Sequence, residues 1–229
     1  MTKDSLGDRM KRNYEDPWRI TLPWRMPLII RVDGRAFHTL TRRHFKDNDP
    51  AFADKMIGVA AALLDGIDSA LLAYVQSDEV SVLVHNYKRL ESLPWFGNNA
   101  MKICSVAACM AANSFNCIVP YHAEFDARAF VLPEAEVNNY FLWRQQDAIR
   151  NSVASWAQAR FSAKQLHGKN IIEQKQMCEA AGAPWESRSF GEKFGWTLVE
   201  DGNETSATLT EVDFRTSTLI DNLLADREE

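Results

Sequence analysis

The run Pro27-Leu28-Ile29-Ile30-Arg31-Val32-Asp33-Gly34 constrains this chain more than any other stretch, because it carries an apolar strand straight into a carboxylate and a glycine. Gly34 permits a tight turn there, with backbone close to a ligand. A second carboxylate sits in a similar place. Leu71-Leu72-Ala73-Tyr74-Val75 and Val80-Ser81-Val82-Leu83-Val84 are β-rich runs separated by Gln76-Ser77-Asp78-Glu79, which predicts a hairpin with Asp78 and Glu79 exposed at its tip. Between the two carboxylates, Phe52, Met56, Val59 and Leu63 recur at helical spacing, so residues 51–65 are expected to form an amphipathic helix ending near Gly66.

A second helix is expected from Asn98 to Phe115, followed by a strand near Glu124–Leu132 that stops at Pro133. The order is then β-α-β-β-α-β, an α+β fold of the ferredoxin-like or palm type, in which the first strand and the central hairpin are neighbours. In that arrangement Asp33 and Asp78 converge at one edge of the sheet. Mg²⁺ takes oxygen ligands, commonly one or two carboxylates plus substrate phosphates, so the pair suffices to hold it. The alternative reading of the same residues is two ordinary solvated turns.

A long helix is expected from Glu134 to Arg160, with Arg144, Asp147 and Asn151 on one face and Ile149, Val153 and Trp156 on another. The polar face suits a site wall or a simple intrahelical Arg-Asp pair. Trp143 and Trp156 are expected to pack in the core, and no base-stacking residue is assigned.

Four segments, Arg31-Val32-Asp33-Gly34-Arg35-Ala36-Phe37-His38, Gln76-Ser77-Asp78-Glu79, Phe125-Asp126-Ala127-Arg128 and Trp143-Arg144-Gln145-Gln146-Asp147, resemble in order and spacing the tRNA-histidine guanylyltransferase family. That family comprises reverse polymerases that add nucleotides to RNA 5′ ends in the 3′→5′ direction. The resemblance spans residues 5–200 and implies a palm-like nucleotidyltransferase using two Mg²⁺ ions, with tRNA and nucleoside triphosphates (GTP, ATP and others) as partners and a homotetramer built as a dimer of dimers. By motif match, Asp33, the Gly34 carbonyl and Asp78 hold the metal, and Asp33 and Asp78 are the catalytic pair. The incoming nucleotide is contacted by Asp33, Gly34, Arg35, Ala36, Phe37, His38, Ser77 and Asp78, with Lys46, Asp49 and Lys102 nearby.

Ile149-Arg150-Asn151-Ser152 stands where the eukaryotic branch has a His-Ile-Asn-Asn run, and Asn99 stands where it has an arginine. With Phe161–Lys169, these features resemble the bacterial and archaeal like-protein branch, which repairs truncated tRNA 5′ ends on a template. Two other classes remain: a palm-domain synthase of cyclic or short oligonucleotide signals, and a non-catalytic RNA-binding protein. The Gly-Gly-Asp/Glu-Glu-Phe hairpin of diguanylate cyclases is absent, which weighs against the first.

The 229 residues, 46% hydrophobic, are enough for one core, and no linker or repeat divides them, so a single domain over 1–229 with a C-terminal extension is expected. No stretch has the apolar length of a membrane span and the N-terminus lacks a signal core, which predicts a cytoplasmic protein without membrane contact. Cys104, Cys109, Cys117 and Cys178 form no paired zinc motif and are expected as buried free thiols. A net charge of −5 is awkward for an RNA enzyme. Local basic sets must then do the binding: Lys164, His167 and Lys169 are the candidate RNA contacts, with Arg42 and Arg43 behind them.

Overall fold

The computed structural model describes residues 5–45, 50–117, 121–200 and 207–225. An N-terminal arm with a short helix α1 (Leu6–Met10) leads to strand β1 (Leu28–Gly34), helix α2 (Phe37–His44) and helix α3 (Pro50–Gly66). Hairpin strands β2 (Ala70–Gln76) and β3 (Glu79–Val84), helix α4 (Ala100–Asn116), strand β4 (Phe125–Val131) and the long helix α5 (Glu134–Gln158) follow. Short helices α6 (Ala163–Leu166), α7 (Ile171–Ala180) and α8 (Phe190–Phe194), strands β5 (Trp196–Glu200) and β6 (Ala207–Thr210), and helix α9 (Leu219–Ala225) come next. Among the described residues no helix is long and apolar enough to cross a membrane.

One antiparallel sheet in the order β4-β1-β3-β2-β5-β6 holds the six strands of the described residues together. Its first four members are the arrangement expected from β-α-β-β-α-β, with β1 beside the central hairpin. Strands β5 and β6 extend the sheet beyond β2; they are short and were not legible in the sequence. Helix α2 was also unexpected, since the residues after Gly34 read as loop.

Strand alternation sorts the core into two layers. Leu28, Ile30 and Val32 of β1, with Val80, Val82 and Val84 of β3, meet Met56, Val59 and Leu63 of α3 and Ile103, Ala107 and Phe115 of α4. Ile29, Leu72, Tyr74 and Leu83 point the other way, against Val137, Phe141 and Ala148 of α5 and against Phe214, Ile220 and Leu224. The stripe predicted for α3 is therefore its buried face. Asn99 caps α4: its side chain accepts the Lys102 amide at 3.2 Å, satisfying one of the helix's unpaired donors.

The thiols differ from expectation. Cys178 is buried, but Cys104 is only partly covered and Cys109 and Cys117 are exposed, because they fall off the Ile103-Ala107-Ala111-Phe115 stripe that α4 turns to the core. Trp143 is 49% exposed rather than packed inside.

Candidate active site

Strand register builds the site row by row. Asp33 lies opposite Asp126 on β4 and opposite Glu79 on β3, which in turn faces Gln76 on β2. Register partners project to the same side of a sheet, so Asp126, Asp33 and Glu79 form an acidic row at the end of β1. The next row on that face is Arg128, Arg31, Ser81 and Tyr74, and the one after it is Phe130, Ile29, Leu83 and Leu72. This is the face α5 covers. On β4 the cover ends, and Asp126 and Arg128 are exposed.

Two residues, Ser77 and Asp78, make the hairpin turn, shorter than the four polar residues suggested. Ser77 adopts a positive φ of 50° there. The Gly34 amide donates to the Asp78 carbonyl at 3.0 Å, which ties the turn to the end of β1. Burial pushes the Asp78 carboxyl above its usual range, and the Asp33 charge pushes it further, against hydrogen bonds from its own backbone and from Ser77. Two carboxylates crowded together in this way fit a divalent cation, whose charge would relieve the repulsion, with phosphate oxygens completing the shell. Among the described residues no larger His, Cys, Asp and Glu cluster offers a competing metal site.

The segment after Asp33 is held in place by its neighbours. A Cβ on Gly34 would come within 2.6 Å of three atoms of the Phe37 ring, so this position accepts only glycine in the present packing. The Arg35 amide donates to the Glu124 carbonyl at 2.8 Å, and its guanidinium pairs with the Glu124 carboxylate. Ala36 has a φ of 56° and starts α2. Phe37 is buried among Phe52, Phe115 and Phe125, so it can meet a ligand only through its backbone. His38 is exposed, and its Nε2 accepts from Arg42 at 3.0 Å. Lys102 is exposed on the first turn of α4, its Nζ 4.4 Å from the Phe96 ring centre. Lys46 and Asp49 lie outside the described residues.

Glu79 departs furthest from the exposed hairpin tip expected of it. It is the first residue of β3 and is buried. Arg144 of α5 donates to it from Nε at 2.8 Å and from Nη2 at 2.9 Å, and Nη2 also reaches Asp147 at 3.0 Å. Arg31 approaches the same carboxylate at 3.8 Å. Two like charges face each other at the Asp33–Glu79 pair, and the guanidinium fork offsets one of them. The intrahelical Arg144–Asp147 pair is present too, but it is the outer part of this network. One signal in the sequence pointed here: Val137, Tyr140, Phe141, Arg144 and Ala148 share a single helical stripe, and an arginine on an apolar stripe needs a buried acid.

Away from this region, Lys164, His167 and Lys169 are exposed around α6. Glu173 sits 3.2 Å from the Lys169 ammonium and offsets part of its charge.

A palm-type sheet with paired carboxylates at the mouth of its central strands is the architecture of enzymes that handle nucleoside triphosphates through bound cations. A sequence model of the Thg1 family, described as tRNAHis guanylyltransferase, matches residues 7–133, and the chain belongs to that family. Of solved structures, a bacterial tRNA(His) guanylyltransferase (Thg1)-like protein in complex with ATP superposes with a TM-score of 0.89 at 39% identity, covering 96% of this chain and 99% of the other. A GTP complex of a bacterial protein with the same description gives 0.80 at 36% identity over the same shares. The probable tRNA(His) guanylyltransferase of Homo sapiens is 29% identical over 138 residues, 55% of this chain and 45% of the relative. This chain thus spans about half the length of the curated relatives it matches.

Proposed function

We propose that the chain is a 3′→5′ nucleotidyltransferase that adds nucleotides to tRNA 5′ ends, by templated repair of truncated ends. The observation that carries this reading is the Asp33 and Asp78 pair, joined through the Gly34 amide at the mouth of β1 and the hairpin. Family membership and the ATP and GTP bound by similar bacterial proteins support it.

Asp33, Asp78 and the Gly34 carbonyl are the groups that would hold Mg²⁺, two ions in the full site. Bound there, the cation would neutralise triphosphate charge and ease loss of the hydroxyl proton. The incoming triphosphate is bound by Gly34, Arg35, Ala36, the Phe37 backbone, His38 and Ser77, with Lys102 supplying positive charge and Lys46 and Asp49 belonging to the same pocket. The 3′-hydroxyl of that nucleotide attacks the phosphorus of an activated RNA 5′ end, and the activating group, pyrophosphate or adenylate, leaves. Lys164, His167 and Lys169 contact the RNA. A dimer of dimers gathers basic patches that one acidic subunit lacks, and the setting is cytoplasmic.

Templated repair rests on Asn99 and Ile149. Asn99 spends its side chain on capping α4, and Ile149 presents an apolar surface, so neither supplies the cation or imidazole of the eukaryotic branch. The test is to incubate the protein with Mg²⁺, each labelled triphosphate in turn, and tRNA either lacking its 5′ nucleotide or full length. Incorporation of the nucleotide complementary to the opposite strand on the truncated tRNA is expected. Guanylate added opposite adenine on full-length tRNA-histidine in clear preference would overturn the repair assignment, and no incorporation at all would overturn the activity.

A further inference from the structure

The uncovered part of the sheet is bordered by a tryptophan. Helix α5 has two flanks with different neighbours. On one, Gln145 donates to the Val212 carbonyl at 2.7 Å and accepts from the Phe214 amide at 3.0 Å, so the C-terminal segment covers it. On the other, Tyr140 meets Phe130 of β4 with ring centres 5.6 Å apart, and Trp143 follows 5.9 Å from Tyr140. Trp143 therefore stands on the β4 side, where the exposed Asp126 ends the Asp33 row and the exposed Arg128 ends the next.

The indole is fixed from behind. The Arg144 guanidinium lies 4.4 Å from its ring centre and is itself locked by Glu79 and Asp147. Arg144 belongs to the buried stripe of α5 and Trp143 does not, so the ring stays at the surface with 49% of the residue in water. A ring backed by an immobile cation and open to solvent is a ready platform for a second π system. Trp18 and Trp24 are exposed too, but they belong to the segment before β1 and not to the helix that crosses the Asp33 row.

The ligand follows from which face is involved. The triphosphate loop after Asp33 leads into α2, whose Phe37 packs into the α3 and α4 layer, on the opposite side of the sheet from α5. The Asp33 carboxylate itself projects to the α5 side, beside Trp143, while the loop that follows it turns away into α2, so a base stacked on the indole is assigned to the polynucleotide that meets the carboxylate there. We propose that Trp143 is a stacking platform for the terminal nucleobase of the acceptor RNA, whose helix end presents one uncovered base face. This rests on reading the Asp33 and Asp78 pair as the nucleotidyl-transfer site.

The test uses the full chain and a tRNA carrying 2-aminopurine at its 5′-terminal position, so binding and base stacking are read without chemistry. Stacking on the indole quenches the probe. In Trp143→Ala and Trp143→Leu the quenching should be lost and RNA affinity should fall roughly tenfold, while Trp143→Phe keeps most of both and triphosphate affinity is unchanged. Thermal melting of each variant confirms that it is folded. Wild-type quenching and affinity in Trp143→Leu would overturn the proposal, as would a loss of triphosphate affinity in place of RNA affinity. Quenching by a wild-type protein that transfers no nucleotide would leave the stacking role standing and overturn only the activity.

Discussion

Arg144 grips Glu79 with both arms of its guanidinium, at 2.8 and 2.9 Å, directly across the strand pair from Asp33. Helix α5 is thereby bolted to the strand that leaves the Asp78 turn, and the Glu79 charge is neutralised in place. The same helix holds the C-terminal segment through Gln145, so one element fixes both the site's turn and the extension.

Removing one partner of this buried pair strands the other. Arg144→Ala should cost about 3–5 kcal/mol in urea unfolding, whereas Glu79→Gln combined with Arg144→Met should cost clearly less than the sum of the two single changes. Additive losses would show that the fork is not a coupled unit.

Asp33→Asn and Asp78→Asn should each abolish nucleotide addition with the fold retained. Because burial and Asp33 raise the Asp78 pKa, its charge opposes folding: stability falls as pH rises from the ordinary carboxylate range through the raised value. Asp78→Asn should therefore melt higher than wild type at neutral pH without divalent cations, and the difference should vanish in acid. A melting point lowered at neutral pH would contradict the crowding of the pair.

Neutralising Lys164 and Lys169 together should weaken tRNA binding far more than triphosphate binding. Lys164 should account for most of the effect, since Glu173 already offsets Lys169. Wild-type affinity should drop by roughly tenfold or more between about 50 and 200 mM salt if several phosphates are contacted. An unchanged salt titration in the double variant would move the RNA path toward Arg42 and Arg43.

Asn99→Ala should destabilise the protein by about 1 kcal/mol, and Asn99→Asp should recover most of that, because the position works as the cap of α4. Thermal or denaturant melting of the two variants decides it.

Gly34→Ala should disrupt the turn after Asp33, since the added methyl meets the Phe37 ring and that ring is hemmed in by Phe52, Phe115 and Phe125. Loss of triphosphate binding together with a lowered melting point is the expected result.

The sequence by itself determined the local periodicities and, through them, the order of the first four strands and three main helices. The apolar and β-rich runs at Leu28–Val32 and Val80–Val84 mark strands, and the stripe Phe52-Met56-Val59-Leu63 reports which side of its helix is buried, because burial follows hydrophobicity. The two carboxylates were legible for the same reason, because each interrupts an apolar run where a turn must come. Tertiary structure alone decided what lies across from what. Register set Asp126 and Glu79 on either side of Asp33, and the path of α5 over the sheet brought Arg144 to Glu79, 65 residues apart, turning an apparent solvent-exposed acid into a buried anchor. It also left Trp143 in water beside the open strands. Pairing between distant segments depends on the summed packing of both sheet faces, which no local window of residues contains.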